Sequence, residues 1–210
     1  AGYKWMNANI GHQWSTPGSW YREVSWLAGA QQQFNYDGDR TDAQAQAYYE
    51  TMFPNYWKVR SFVIYHPTTL DDHLTRGGPV VMRTGYRFGN LEISTDARQR
   101  AVFDFNVQGG TGVDSRTHTL ILQPGVALKP AGNVFISLTP SFIADQDAAQ
   151  YVTTVTDPSS TAFFGKRYVF AFIKTRTTSL DTRVNWTFNP NLTLPLFSRP
   201  LTPDGPYPSL

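Results

Sequence analysis

Residues 134–142 read Val-Phe-Ile-Ser-Leu-Thr-Pro-Ser-Phe, and this stretch decides the class of fold. Apolar side chains stand at every second position, and most of the positions between them carry hydroxyl side chains. Because successive side chains of a β-strand point to opposite faces of a sheet, the stretch predicts a strand with one apolar and one polar face. The apolar set is Val134, Ile136, Leu138 and Phe142, and the polar set is Ser137, Thr139 and Ser141.

The same period of two recurs along the chain and predicts about ten strands. Residues 41–49 are rich in Ala and Gln, and their period favours a strand, with a helix as the alternative. Residues 167–188 are expected to form one long strand, or two strands broken near Arg176. The predicted strands are residues 3–14, 19–36, 39–53, 56–66, 79–95, 98–108, 116–128, 133–144, 166–188 and 191–199.

The composition narrows the class of protein. The 210 residues are 40% hydrophobic and 15% aromatic, with a mean hydropathy of -0.37. No apolar run reaches the roughly 18 residues of a transmembrane helix, which excludes a helical membrane protein. The chain has no Cys, so disulfides and thiolate metal sites are excluded. Its charge of +2 is scattered along the sequence, which argues against a nucleic-acid partner.

Two architectures fit the alternation: a water-soluble sandwich, and a membrane barrel with apolar residues facing lipid and polar residues facing the lumen. Stretches such as 19–36 and 80–95 exceed the usual globular strand of about 5–6 residues. Short turns and longer polar connections are also expected to alternate strictly, as in outer-membrane barrels. The sequence therefore predicts an all-β fold, an antiparallel up-and-down transmembrane β-barrel or part of one. We expect a single barrel domain over residues 1–210, as the C-terminal part of a larger barrel.

Trp and Tyr residues stand near the ends of the predicted strands. Amphipathic rings prefer the headgroup zone of a bilayer, so these residues are candidates for an aromatic girdle. Ordinary packing of aromatics on a sheet is the alternative. The candidates are Trp5, Trp14, Trp20, Trp57, Tyr168 and Trp186.

Several landmarks in order resemble one family of barrel domains. They are Asn-Tyr-Trp at 55–57, Thr-Arg-Gly-Gly-Pro at 75–79, Ser-Thr-Asp-Ala-Arg at 94–98, Arg-Tyr-Val-Phe-Ala at 167–171 and Arg-Val-Asn-Trp-Thr-Phe-Asn-Pro-Asn-Leu-Thr-Leu at 183–194. The chain resembles, over about residues 20–207, a domain-of-unknown-function group of Gram-negative bacterial proteins. Members typically join an N-terminal domain resembling a family-nine carbohydrate-binding module to a C-terminal outer-membrane barrel.

This resemblance implies an outer-membrane location and brings no established activity and no catalytic residues. It covers only the barrel part of the family, since the N-terminal module and the first barrel strands have no counterpart here. After Pro206 and Tyr207 the family continues into a closing hairpin. A barrel cannot leave edge strands unpaired in lipid, so we expect further strands or another chain to complete it.

Charged residues inside the predicted strands are candidates for a lumen lining. Mixed charge inside a barrel tunes the passage of solutes or forms cross-strand ion pairs, and structural pairing is the simpler reading. The candidates are Arg60, Arg83, Arg87, Asp104, Lys174, Asp181 and Arg183.

The polar loop at 66–79 holds weak metal-ligand candidates, His66, Asp71, Asp72 and His73. Their spacing matches no metal motif, so we expect a solvated outer loop, no metal and no cofactor. A hydrolase would need a nucleophile beside a histidine, and Ser115 near His118 is the nearest approach to that pattern. No catalytic residue is predicted.

These observations favour a non-enzymatic outer-membrane barrel that serves in transport, anchoring or an envelope assembly. Its partners would be the lipid bilayer, other protein chains and, by analogy with the family alone, a glycan. One alternative is a soluble β-barrel or sandwich that binds a small molecule or glycan through aromatic residues. The other alternative is an outer-membrane hydrolase.

Overall fold

The computed structural model describes residues 2–204, which are built almost entirely of β-strands. A single 3-10 turn, Thr161–Phe163, interrupts the strands. The strands are β1 (Tyr3–Trp14), β2 (Glu23–Asn35), β3 (Arg40–Met52), β4 (Lys58–His66), β5 (Thr69–Asp71), β6 (Val81–Arg83), β7 (Tyr86–Ser94), β8 (Ala101–Gly112), β9 (His118–Ala131), β10 (Val134–Thr156), β11 (Lys166–Asn189), β12 (Leu192–Ser198) and β13 (Leu201–Asp204).

The main sheet is antiparallel and follows the chain from neighbour to neighbour. Its order is β1-β2-β3-β4-β7-β8-β9-β10-β11-β12, and β13 continues beside β11. The short strands β5 and β6 form a separate hairpin between β4 and β7. The prediction of an all-β, up-and-down fold with about ten long strands is confirmed. The sheet is not closed into a barrel, and β1 and β12–β13 are its edges.

The strand register divides the sheet into two chemically distinct faces. Directly opposed residues of neighbouring strands share a face, so the pairing can be followed from β1 to β12. The apolar face includes Met6, Ile10, Ala45, Val63, Leu91, Phe103, Phe105, Val107, Leu122, Val126, Leu138, Phe142, Leu180, Val184 and Leu196. The polar face includes Asn7, Gln31, Gln44, Glu50, Arg60, Glu92, Asn106, Gln123, Ser141, Asp145, Ser179 and Asp181.

The long strands agree with the prediction at two places and differ from it at two others. Residues 41–49 form a strand, β3, as favoured over a helix, and β11 runs unbroken through Arg176, as favoured over two strands. The predicted strand 79–95 is instead split at Gly85, where a side chain would meet the carbonyl of His66. β10 also continues beyond residue 144, its predicted end. Its later part carries two register shifts, which break the period of two on which the prediction depends.

The prediction that short and long connections alternate strictly is wrong. At one end of the sheet, called the loop end, the connections are residues 36–39, 67–85, 113–117 and 157–165. At the opposite end, called the turn end, they are residues 15–22, 53–57, 95–100, 132–133 and 190–191. The connection 36–39 is a tight turn, in which Gly38 has a positive φ and the side chain of Asn35 accepts a hydrogen bond from the Asp39 amide.

Residues 67–85, called the capping loop, fold over the polar face at the loop end. His73 contacts Tyr3 of β1, Arg76 lies 4.8 Å from the ring of Tyr151 in β10, and Gly78 touches Tyr168 of β11. A flat sheet would hold β1 and β11 about 38 Å apart, at about 4.8 Å per strand. Because residues 73–76 form a hydrogen-bonded turn, the backbone from 73 to 78 can span only about 14 Å, much less than the width of the flat sheet. The sheet therefore curls around the loop, with its polar face inside.

Candidate functional site

Large side chains of the apolar face are exposed, which a water-soluble sheet would avoid. Val63 and Phe103 on the apolar face are 59% and 57% exposed, whereas Ser141 on the polar face is 5% exposed. A sheet that folds in water buries its apolar face against a core and leaves its polar face in solvent. In this chain the concave side is polar and the convex side is apolar, so the polar face is the candidate functional surface.

A continuous row of polar side chains crosses the middle of the concave face. Arg60 of β4 contacts a carboxylate on each side, with Nε 3.3 Å from Glu50 of β3 and Nη1 3.2 Å from Glu92 of β7. On the next strands the amide of Asn106 donates to Gln123 at 3.1 Å, and Gln123 donates to Ser141 at 3.3 Å. The polar row is defined as Glu50, Arg60, Glu92, Asn106, Gln123 and Ser141.

Two features of the polar row leave capacity for a ligand. The side chains of Glu50, Arg60 and Glu92 remain between a third and a half exposed, so their remaining donors and acceptors are accessible. Two carboxylates flank one guanidinium, which leaves the trio with one net negative charge. The side-chain oxygen of Asn106 is buried and has no hydrogen-bond partner.

An aromatic row stands on the same face and was missed by the sequence analysis. The rings of Tyr48 and Phe62 are 5.8 Å apart, those of Phe62 and Phe88 are 5.8 Å apart, and Tyr86 stacks on Phe88 at 6.3 Å. The sequence contains the signal, because Tyr48 and Phe62 have the parity of Glu50 and Arg60. An aromatic residue at a polar position of an alternating strand is the pattern that would have found them.

A groove of about 660 Å³ lies where the first part of the aromatic row meets the charged part of the polar row. Tyr48 and Phe62 line it together with the ion pairs of the polar row and Asn90. A second cavity of about 660 Å³ lies under the capping loop, and five aspartates are among its lining residues. These are Asp42, Asp71, Asp114, Asp145 and Asp147.

The charged candidates do not all share one face. Arg60, Asp104, Asp181 and Arg183 lie on the polar face. Arg83 lies in the β5–β6 hairpin, outside the main sheet. Arg87 and Lys174 lie on the opposite, apolar face, so the prediction that they face a lumen is corrected. Arg87 lies opposite Tyr65, which is two residues from Val63 and shares its face. Lys174 lies opposite Gln146, which is four residues from Phe142 and shares its face.

The aromatic girdle candidates gather mainly at the turn end. Trp14 and Trp186 lie near the turn-end limits of β1 and β11, and Trp20 and Trp57 lie in connections at that end. Trp5 is different, because it opposes Gln33 on the polar face near the loop end. Tyr168 lies at the loop end, in the part of β11 that pairs with the extension of β10, and it contacts Gly78.

The weak metal candidates are occupied by local contacts. His66 lies 3.5 Å from Asp42. Asp71 accepts hydrogen bonds of 2.8 Å from the backbone amides of His73 and Leu74. Asp72 accepts a hydrogen bond from the Tyr3 hydroxyl. Within residues 2–204, no group of three or more His, Cys, Asp or Glu side chains is placed to hold a metal ion.

The serine-histidine arrangement lacks the geometry of a hydrolase. His118 contacts the backbone carbonyl of Ser115 at 2.8 Å, so the ring nitrogen bonds the main chain instead of the hydroxyl. Asp114 accepts the backbone amide of Arg116 and does not orient the imidazole in this arrangement.

No known protein family, no curated protein and no solved structure matches the chain. In the part of the chain that the structure describes, no helix is long and apolar enough to cross a membrane. The resemblance to the barrel family concerns residues up to 207, and Pro206 and Tyr207 lie outside the described residues.

Proposed function

We propose that this chain is a non-enzymatic outer-membrane protein whose sheet forms the wall of a β-barrel and lines a polar passage. The observation that carries the proposal is the arrangement of the two faces, with the polar face concave and large exposed side chains on the convex, apolar face. Lipid is the solvent that stabilises such a convex face, and a watery passage is the setting that suits such a concave face.

The height of the apolar face supports a bilayer as its surroundings. On β9, apolar-face residues extend from Leu120 to Leu128, which is about 27 Å along a strand. With a strand tilt of about 40°, this corresponds to about 20 Å along the membrane normal, close to the apolar band of about 25 Å on outer-membrane barrels. Trp186 pairs with Val134, which pairs with Ala131, so it lies beyond this stretch at the turn end, where an interfacial ring would be stabilised.

A barrel wall requires a pairing partner at each of the two open edges of this sheet. Unpaired backbone groups are not tolerated in hydrocarbon, so β1 and β12–β13 would pair with further strands. The resemblance to barrels of Gram-negative bacteria supports the outer membrane as the location, and transport or anchoring is the role that a polar passage suits.

Spin-label scanning tests the proposal directly. The chain has no Cys, so single cysteines introduced along β8 can be labelled without background. Labels at Phe103, Phe105 and Val107 should contact oxygen dissolved in lipid, and labels at Asp104, Asn106 and Gln108 should contact a water-soluble nickel complex. Uniform accessibility along β8 in vesicles, or folding in buffer without detergent, would contradict a membrane-spanning sheet.

A further inference from the structure

The aromatic row, defined by Tyr48, Phe62, Phe88 and Tyr86, occupies a place where packing does not require it. Tyr48 is 38% exposed, and its ring borders the groove on the concave face together with Phe62. Polar side chains surround the row on the same face, including Gln46 and Asn90. Large apolar rings in a polar, accessible groove are typical of a binding surface.

The strand next to Phe88 and Tyr86, β8, carries glycines where it faces them. Gly110 and Gly112 of β8 stand directly opposite Phe88 and Tyr86. A side chain at Gly110 would collide with the Tyr86 ring, which therefore lies over this glycine. The missing side chain at Gly110 leaves room for the Tyr86 ring against the sheet.

Hydrogen-bonding groups line the same groove as Tyr48 and Phe62. Arg60 supplies planar N–H donors, and Glu50 and Glu92 supply carboxylate acceptors, all of them partly exposed. The amide of Asn90 lies next to Phe62, since its oxygen accepts the Phe62 backbone amide at 2.9 Å. Apolar faces and fixed polar groups therefore converge on one groove.

We infer that this groove binds a neutral oligosaccharide. The flat C–H surface of a pyranose ring packs against an aromatic face, whose negative quadrupole attracts the weakly positive hydrogens. The ring's hydroxyl groups point outward at its edge, where the carboxylates and guanidinium can bond them. The 5.8 Å spacing of the Tyr48 and Phe62 rings allows neighbouring sugars of a chain to contact neighbouring aromatics. The net negative charge of the Glu50–Arg60–Glu92 trio disfavours an acidic sugar.

The oligosaccharide would be the solute of the proposed passage. The route by which it reaches the groove rests on the proposed function. The binding itself requires only the curled sheet. Binding and membrane insertion can therefore be measured separately on the same folded protein, and a negative result in one does not imply a negative result in the other.

Saturation-transfer NMR on the detergent-solubilised chain tests the inference. Cellotetraose and maltotetraose are the neutral probes, and tetragalacturonate is the acidic probe. At least one neutral probe should receive saturation from the protein. The Phe62→Ala variant should lose the signal at least five-fold, and the matched variant Phe103→Ala, on the apolar face, should retain it.

The controls keep the result decisive. If Phe62→Ala does not fold, Tyr48→Ala removes the more exposed ring of the same pair, and Arg60→Gln removes the polar contact. Both should weaken saturation transfer. No transfer to either neutral probe, stronger transfer to tetragalacturonate, or equal loss in the Phe62 and Phe103 variants would overturn the inference. Alternating spin-label accessibility together with absent sugar binding would leave the membrane proposal standing and remove only this inference.

Discussion

The hydroxyl of Tyr3 lies 2.7 Å from Nε2 of His73, so the edge strand β1 is joined to the capping loop between β4 and β7. The same hydroxyl donates to the carboxylate of Asp72. Five residues beyond His73 the loop contacts Tyr168 at the other side of the sheet. The capping loop therefore spans the concave face and braces the curl of an open sheet at one end.

Removing the Tyr3 hydroxyl should loosen this brace. In Tyr3→Phe the ring remains and the hydrogen bonds to His73 and Asp72 are lost, which costs about 1 kcal/mol for an interaction of this kind. We expect backbone amides of residues 67–85 to exchange about five-fold faster by hydrogen-exchange mass spectrometry. Tyr36→Phe is the control, since the Tyr36 ring is 71% exposed. Equal exchange in the two variants would show that the contact does not hold the loop.

A charge on the convex face should be far more costly than a charge on the concave face. Leu138 lies on the apolar face between Val126 and Thr182, and Thr139 lies on the polar face opposite Asp181. Leu138→Arg should cost about 2–4 kcal/mol if it faces lipid near the midplane, and Thr139→Arg about 1 kcal/mol or less. Urea-dependent folding into phosphatidylcholine vesicles measures both values. Similar costs at the two positions would be incompatible with one lipid-facing side.

The fold was largely predictable because one physical pattern dominates the sequence. Alternation at residues such as Leu138 and Thr139 requires only the pleat of a strand, and the pairing of neighbours then follows the chain. The pattern fails where the geometry is irregular. Beyond Asp147 the register of β10 shifts twice, so its extension could not be predicted from a period of two.

The site was less predictable because it depends on which residues share a face across different strands. Arg60 and Arg87 are both charged strand residues, and only the register shows that they lie on opposite faces. The capping loop posed another problem, because its contact with Tyr3 joins residues about seventy positions apart. Local composition predicted a polar loop there and carried no information about where the loop folds.

The turn at 95–100 should make the protein sensitive to acid. Asp96 accepts hydrogen bonds from the Arg98 guanidinium at 2.7 and 2.9 Å and from its backbone amide at 3.0 Å. These bonds hold the pKa of the Asp96 carboxyl well below its usual range. A carboxyl with a lowered pKa in the folded state contributes stability above its unfolded pKa of about 4, and that contribution is lost as the pH falls toward the folded value.

Asp96→Asn should therefore make the stability of the fold depend less on pH in acid. We expect the urea midpoint, followed by tryptophan fluorescence, to fall between pH 6 and pH 3 by less in the variant than in the unmodified protein. Other carboxylates remain in both proteins, so the difference between the two curves isolates Asp96. Parallel curves over this range would mean that the contact with Arg98 does not contribute to folding.

Removing the guanidinium at the centre of the polar row should expose a repulsion between its two partners. In Arg60→Met, Glu50 and Glu92 face the same gap without a cation. Because these side chains are partly exposed, we expect a loss of about 1 kcal/mol in low salt, and a smaller loss at 0.5 M NaCl, where the charges are screened. Replacing both glutamates by glutamine in the Arg60→Met background should recover most of the stability. A loss that is independent of salt, or that persists in the triple variant, would assign the effect to packing of the Arg60 stem instead of charge.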